Sequence, residues 1–209
     1  MALLLSVLEQ GMIYGILALG VYITYKILDF PDLTVDGSFP FGAAITVRLI
    51  NGFGVPAILT LPIAFLGGAL VGICTGLIHV KLKVRDLLSG IIMMTGLYTI
   101  NLWVAGSGYV AIFDKENIFN NSFVNSITPG FLANFKNVII IFLITMVAKY
   151  LLDWYMSTKS GFLLRAVGDN DTIVTSLGVD KGLVKIVGLS IANGLVSLSG
   201  CIYAQQQRS

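Results

Sequence analysis

Charge is what this sequence has least of. Of its 209 residues only 11% are Asp, Glu, Lys or Arg, while 56% are hydrophobic, and an ordinary soluble domain carries about a quarter charged residues. A soluble fold of this size could not hide so much apolar surface. Cysteine is almost as scarce, since Cys74 and Cys201 are the only two; their spacing excludes a thiolate metal centre and leaves both as small packing residues. A single histidine, His79, stands beside Lys81, where it reads as a membrane-boundary residue rather than a base, and no nucleophile–base pair can be assembled around it. The sequence also lacks a G-x-x-x-x-G-K-[ST] phosphate loop, so nucleotide hydrolysis by this chain is not expected. No catalytic residue, metal site or cofactor is expected, and a net charge of +2 gives no reason to invoke nucleic acid.

What is present is long uncharged sequence. Residues 55–78, 87–113 and 186–207 contain no Asp, Glu, Lys, Arg or His, and each exceeds the roughly 20 residues that cross a ~30 Å hydrocarbon core as a helix. Residues 2–25 are interrupted only by Glu9, and 137–156 carry Lys149 and Asp153 near one end. The fold class is therefore all-α, a polytopic helical membrane protein forming a single transmembrane domain over 1–209. Its spans are expected at about 3–27, 55–79, 88–107, 136–156 and 185–205. Residues 39–50 are apolar but would reach only ~18 Å as a helix, too short to cross. The preceding Asp32-Leu33-Thr34-Val35-Asp36-Gly37-Ser38 carries cap and turn residues. A broken or re-entrant second segment is expected, with irregular backbone that must be enclosed by helices or line a water-filled path.

The N-terminal span has no basic region before it and no small-x-small site after it, which argues against a cleaved signal. Basic residues collect at Lys26, at Lys81, Lys83 and Arg85, and at Lys159, Arg165, Lys181 and Lys185, so these loops should be cytoplasmic. The 108–135 connection and the turn at 51–54 then become external, as does the N-terminus. Gly68, Gly72 and Gly76 recur every four residues, and Gly11 with Gly15 begins a second such face. Both fit close helix packing within one subunit or a seam with a second one.

The cytoplasmic connection 157–184 is the most polar stretch between spans. Asp169 or Asn170 can cap a short helix, Asp171 suits its first turn and Gly178 can end it. A helix of about two turns is stable only when docked on something, whether its own bundle or a soluble partner.

The pattern T-K-x-G-x-x-x-R-A-x-G-D-N from Thr158 to Asn170, followed by S-L-G at 176–178 and by N-G-L-x-x-L-S-G at 193–200, resembles permeases of the branched-chain amino acid and sugar importer superfamily. The nearest likeness is to tryptophan/tyrosine-type and uncharacterised ATP-binding-cassette importer permeases. The opening G-x-x-Y-G-x-x-A-L-G at 11–20 and L-D-F-P-D-L-T-V-D-G-S-F at 28–39 are similar to the same group. The resemblance implies a membrane-spanning importer subunit for a small solute, plausibly an amino acid. It further implies a coupling helix near 168–178 seated in a separate cytoplasmic ATPase subunit, a substrate-binding protein outside, a second permease copy and a place in the cytoplasmic membrane. Gly161, Arg165, Gly168, Asp169, Asn170, Leu177 and Gly178 are the candidate coupling residues. Arg165 has two further readings, a headgroup contact or a pairing with Asp169.

Asp32, Asp36, Gly37, Asn101 and Asn193 are the candidates for the transport path, because polar groups inside lipid are functional candidates by default; helix-to-helix hydrogen bonding is the alternative for both asparagines. Permeases of this kind continue with further helices beyond the N-G-L-x-x-L-S-G element, so a C-terminally truncated chain is expected. A stand-alone secondary transporter or channel would share the composition, and a non-transporting fragment is the remaining alternative. The former would need an intramembrane Asp or Glu for ion coupling, and none is evident from position in the sequence.

Overall fold

A computed structural model describes residues 2–106, 118–119, 135–176 and 178–207. Among them the regular structure is entirely helical: α1 (Ala2–Tyr22), continued by a π-helical turn (Ile23–Ile27), α2 (Val35–Phe53), α3 (Ala57–Leu82), α4 (Asp86–Ala105), α5 (Lys136–Met156), α6 (Lys159–Asp169), α7 (Asp171–Ser176) and α8 (Lys181–Gln206). Among the described residues five helices are long and apolar enough to cross a membrane: Leu3–Ile27, Ala57–Leu82, Asp86–Ala105, Lys136–Met156 and Lys181–Gln206. The protein is an all-α, multi-pass membrane protein. Most of the connection expected to be external, 108–135, lies outside the described residues.

Helix α8 is the hub, with 67% of its apolar window buried against 17% for α4 and α5. Hydropathy does not select it, because lipid and protein interior are equally apolar; small side chains do, by letting backbones meet. Gly188, Ala192, Gly194, Ser197, Ser199, Gly200 and Cys201 are all buried along it. The glycine stripe of α3 lies against it, with Gly68 on Asn193 and Ser197, Gly72 on Leu189 and Ser190, and Gly76 on Ile186. Gly42 of α2 meets the Ser197 carbonyl, Gly200 meets that of Phe39, and a Cβ at Gly20 of α1 would lie 2.6 Å from the Ala192 oxygen. Two serines of α8 reinforce these contacts by donating to neighbouring carbonyls, Ser197 to Ala64 at 2.7 Å and Ser199 to Ile13 at 2.7 Å. The second glycine face is different: among the described residues a Cβ at Gly11 or Gly15 would meet nothing within 4 Å.

The helix expected over 39–50 is longer. It runs unbroken from Val35 to Phe53, 19 residues or about 28 Å, with Pro40 inside it. The polar run before Phe39 misleads because Gly37 and Ser38 are helical residues buried at helix contacts, not turn residues. The irregular backbone lies earlier, over residues 28–34. Asp29 takes a left-handed conformation with φ 49°, which short polar side chains tolerate, and Pro31 disfavours helix at Phe30. This stretch is enclosed as bilayer physics demands, with Leu28, Phe30, Asp32 and Thr34 each no more than 2% exposed.

The helix ends sort into two groups. The π-helical turn, the end of α3, the start of α4, α6 and the start of α8 meet at one end, as shown by Gly168 on Ile27, Phe30 edge-on to His79, Gly182 on Val80 and Gly90 on Leu33. The basic residues named above occupy loops and helix ends of this group. Opposite, Ile50 and Ala57 cluster, Gln205 reaches the Ala57 carbonyl at 3.4 Å and Gln206 donates to Glu9 at 2.9 Å.

Candidate functional site

The irregular stretch brings a carboxylate into the bundle. Asp32 Oδ1 accepts from the Thr34 N–H at 2.8 Å, closing the turn that starts α2, and Oδ2 accepts from Asn193 Nδ2 at 2.8 Å. Asn193 also donates to the Leu189 carbonyl at 3.1 Å and accepts from Ser38 Oγ at 2.6 Å. Thr34 Oγ1 and Thr75 Oγ1 lie 3.1 Å apart, and Thr75 falls back on the Val71 carbonyl. Every one of these side chains is buried, so α2, α3 and α8 are tied to the irregular backbone by a connected polar network. Charge-assisted hydrogen bonds of this kind contribute more than neutral ones. Asp32 and Asn193 are thus brought together as partners.

Asp36, Gly37 and Asn101 form a second group on the side of α2 that faces α4. Gly37 is buried against Leu97, with a Cβ position 2.9 Å from Leu97 Cδ1, and Asn101 Nδ2 donates to the Gly37 carbonyl at 3.1 Å. Asn101 Oδ1 is buried without a hydrogen-bond partner among the described residues. Asp36 is exposed. A cavity of about 270 Å³ between α2 and α4 is lined by Asp36, Gly37, Pro40, Met94, Thr95, Tyr98 and Asn101. Another of about 350 Å³, toward α1, is lined by Leu17, Val21, Tyr25, Asp32, Leu33, Val35, Asp36 and Phe39. Asp36 borders both.

The polar connection folds as two helices at the basic end. Thr158 caps α6 by accepting from the Gly161 N–H at 3.4 Å, and Asn170 Oδ1 accepts from the Thr172 N–H at 3.1 Å at the start of α7. Gly178, at φ 75°, donates its N–H to the Thr175 carbonyl at 3.1 Å. The candidate coupling residues divide by face. Gly161 is buried on Met156 and Tyr155, and Gly168 lies on the Ile27 carbonyl; with Leu164 and Val167 they form the stripe that seats α6 on the π-helical turn and α8. Arg165, Asp169 and Asn170 are exposed on the other face. Arg165 makes no ion pair among the described residues, so the Asp169 pairing is absent. Leu177 lies outside the described residues.

The loop between α3 and α4 is held by His79, whose Nδ1 lies 2.9 Å from the Val84 carbonyl and 3.2 Å from Asp86 Oδ1. No group of three metal-ligating side chains occurs among the described residues.

Comparison with known proteins bears directly on this arrangement. Residues 3–209 match the family of branched-chain amino acid transport system / permease components. The chain belongs to that permease family. It is 42% identical over 203 residues to the tyrosine transport system permease protein of Clostridioides difficile, covering 97% of this chain and 64% of that one. It is 31% identical over 206 residues to an uncharacterised protein of Rickettsia prowazekii, covering 98% and 69% of the two. To a probable branched-chain amino acid transport permease of Methanocaldococcus jannaschii it is 26% identical over 204 residues, covering 93% and 64%. The chain thus spans about two thirds of the length of these relatives. No solved structure matches it.

Sequence reasoning missed several residues of this permease's polar network. Ser38 lay within the quoted L-D-F-P-D-L-T-V-D-G-S-F run, and Thr75 sits on the same face as Gly68 and Gly72, so both were findable by helical spacing. At the opposite end Glu9, which the sequence shows only as the one charge in residues 2–25, is 7% exposed and accepts from Gln206. Nothing local could have paired residues so far apart in sequence.

Proposed function

We propose that this chain is the membrane-spanning permease subunit, or a large part of one, of an ATP-driven importer for a small solute, an amino acid in the first instance. It sits in the cytoplasmic membrane with the basic end of the bundle inside and its N-terminus outside. A separate cytoplasmic ATPase docks on the exposed face of α6 and α7, where Arg165, Asp169 and Asn170 meet it, while an extracytoplasmic binding protein delivers solute and a second permease copy completes the pathway. This chain carries no chemistry of its own; ATP hydrolysis belongs to the ATPase.

The observation that carries the reading is the seat of α6. A short helix pair needs an external partner to be stable, and one face is already spent on the bundle through Gly161, Leu164, Val167 and Gly168. Through Gly168 on Ile27, and Leu164 beside Leu28 and Gly188, any displacement of α6 bears on the irregular stretch that holds Asp32. Family membership and the 42% identity to a tyrosine transport permease support the amino acid class. Asp32 itself offers no free oxygen for ion coupling, since both its oxygens are engaged by protein donors.

The test is recovery of a purified ATPase bearing a phosphate-binding loop by this chain in detergent, with the Asp169→Ala, Asn170→Ala, Leu177→Ala triple variant beside it. Loss of recovery in a variant that still elutes as a folded species supports docking on this face. Unchanged recovery removes the docking assignment, and no recovery by the parent removes the importer reading.

A further inference from the structure

Asp32 and Asp36 stand one helical turn apart in sequence but in different surroundings. Asp32 is 1% exposed, with both oxygens engaged. Asp36 is exposed, and its carboxylate has no hydrogen-bond or ion-pair partner among the described residues. Its neighbour Gly37 packs on Met94 and Leu97, and the rise of α4 from Asp86 puts that level about 12–16 Å along the helix from its end. A charged carboxylate at such a depth is costly against acyl chains; it faces an aqueous path or another protein surface. Asp36 borders two cavities, and among the described residues neither is lined by Lys, Arg or His. Aromatic rings of Tyr25, Phe39 and Tyr98 line them, surfaces that attract cations as well as apolar groups. Asn101, lining the α4 side, adds a carbonyl oxygen without a partner among the described residues.

Building on the permease reading, we propose that Asp36 anchors the ammonium group of an amine-bearing solute with an aromatic or apolar tail. Asp32, with both oxygens engaged, holds the irregular backbone and Asn193 instead. The described lining offers nothing cationic for a carboxylate, so the amine end of a zwitterion binds here and its acid end lies outside this contact. Asp36 is then a specificity-determining residue that selects amines over acids of the same shape.

The experiment places a reporter cysteine at Thr95 in a Cys74→Ala, Cys201→Ser background of the full chain in nanodiscs. Its modification by a polar, uncharged thiol reagent is followed with tyramine or 3-(4-hydroxyphenyl)propionate present. The reporter is expected to react, tyramine to slow the reaction and the acid to leave it unchanged. Asp36→Asn should raise the tyramine concentration needed by about tenfold, as loss of a charge-assisted contact would, with Asp36→Glu restoring much of the protection and tryptophan fluorescence verifying the fold. Equal protection in parent and Asp36→Asn, equal protection by the acid, or no reaction at the reporter overturns the proposal. ATPase recovery is read separately: its loss with amine protection intact overturns the importer reading alone, and the reverse overturns the amine site alone.

Discussion

Replacing Asn193 with alanine should be among the most costly changes in this chain that leaves its packing glycines intact. The substitution removes the Nδ2 donor that lies 2.8 Å from Asp32 Oδ2 and the Oδ1 that accepts from Ser38 at 2.6 Å. The serine loses little, because its hydroxyl can turn to the carbonyl one helical turn back. The carboxylate loses more: hydrogen bonds to charged groups contribute about 1.5–3 kcal/mol. Neutral interhelical bonds in lipid average only about 0.6 kcal/mol and reach about 1.7, so the charge on Asp32 sets the larger figure. A loss of about 2–3 kcal/mol follows, and at roughly 2–4 °C per kcal/mol for a chain of this size the thermal midpoint should fall by about 4–12 °C. Equilibrium unfolding in mixed micelles, followed through Trp103 and Trp154, reads the free energy directly. The decisive companion is Asp32→Asn. Alone it destabilises, because its new amide faces the donor of Asn193. Combined with Asn193→Ala it removes the stranded charge and keeps an acceptor for the Thr34 N–H, so the double variant should be more stable than Asn193→Ala. A cost for Asn193→Ala below about 0.5 kcal/mol, or additive losses in the double variant, would refute the reasoning.

Gly72→Ala should destabilise by about 2–3 kcal/mol in the same assay, since its Cβ falls on the Leu189 carbonyl. Gly15→Ala, with nothing within 4 Å, should be neutral or gain up to about 1 kcal/mol from helix propensity. Gly178→Ala forces a side chain into φ 75° at about 1–2 kcal/mol. It should raise hydrogen exchange in α7 while the global midpoint stays put. Lys149→Ala breaks an exposed pair to Asp153 at 3.0 Å and should change stability by less than about 0.5 kcal/mol.

The sequence by itself determined the class, the long helices and the side on which the basic loops gather, because charge exclusion from hydrocarbon acts on composition and length alone. The glycine stripe of α3 was legible for the same local reason, as residues four apart share a face. Tertiary structure alone decided the rest. Apolar helices look alike to lipid and to protein, so hydropathy could not mark α8 as the hub or show that Gly11 and Gly15 have no partner among the described residues. Nor could it show that Asp32, and not Asp36, is consumed by Asn193. Those outcomes depend on which backbones approach closely enough to exclude lipid, and that is settled by contacts between residues far apart in the chain.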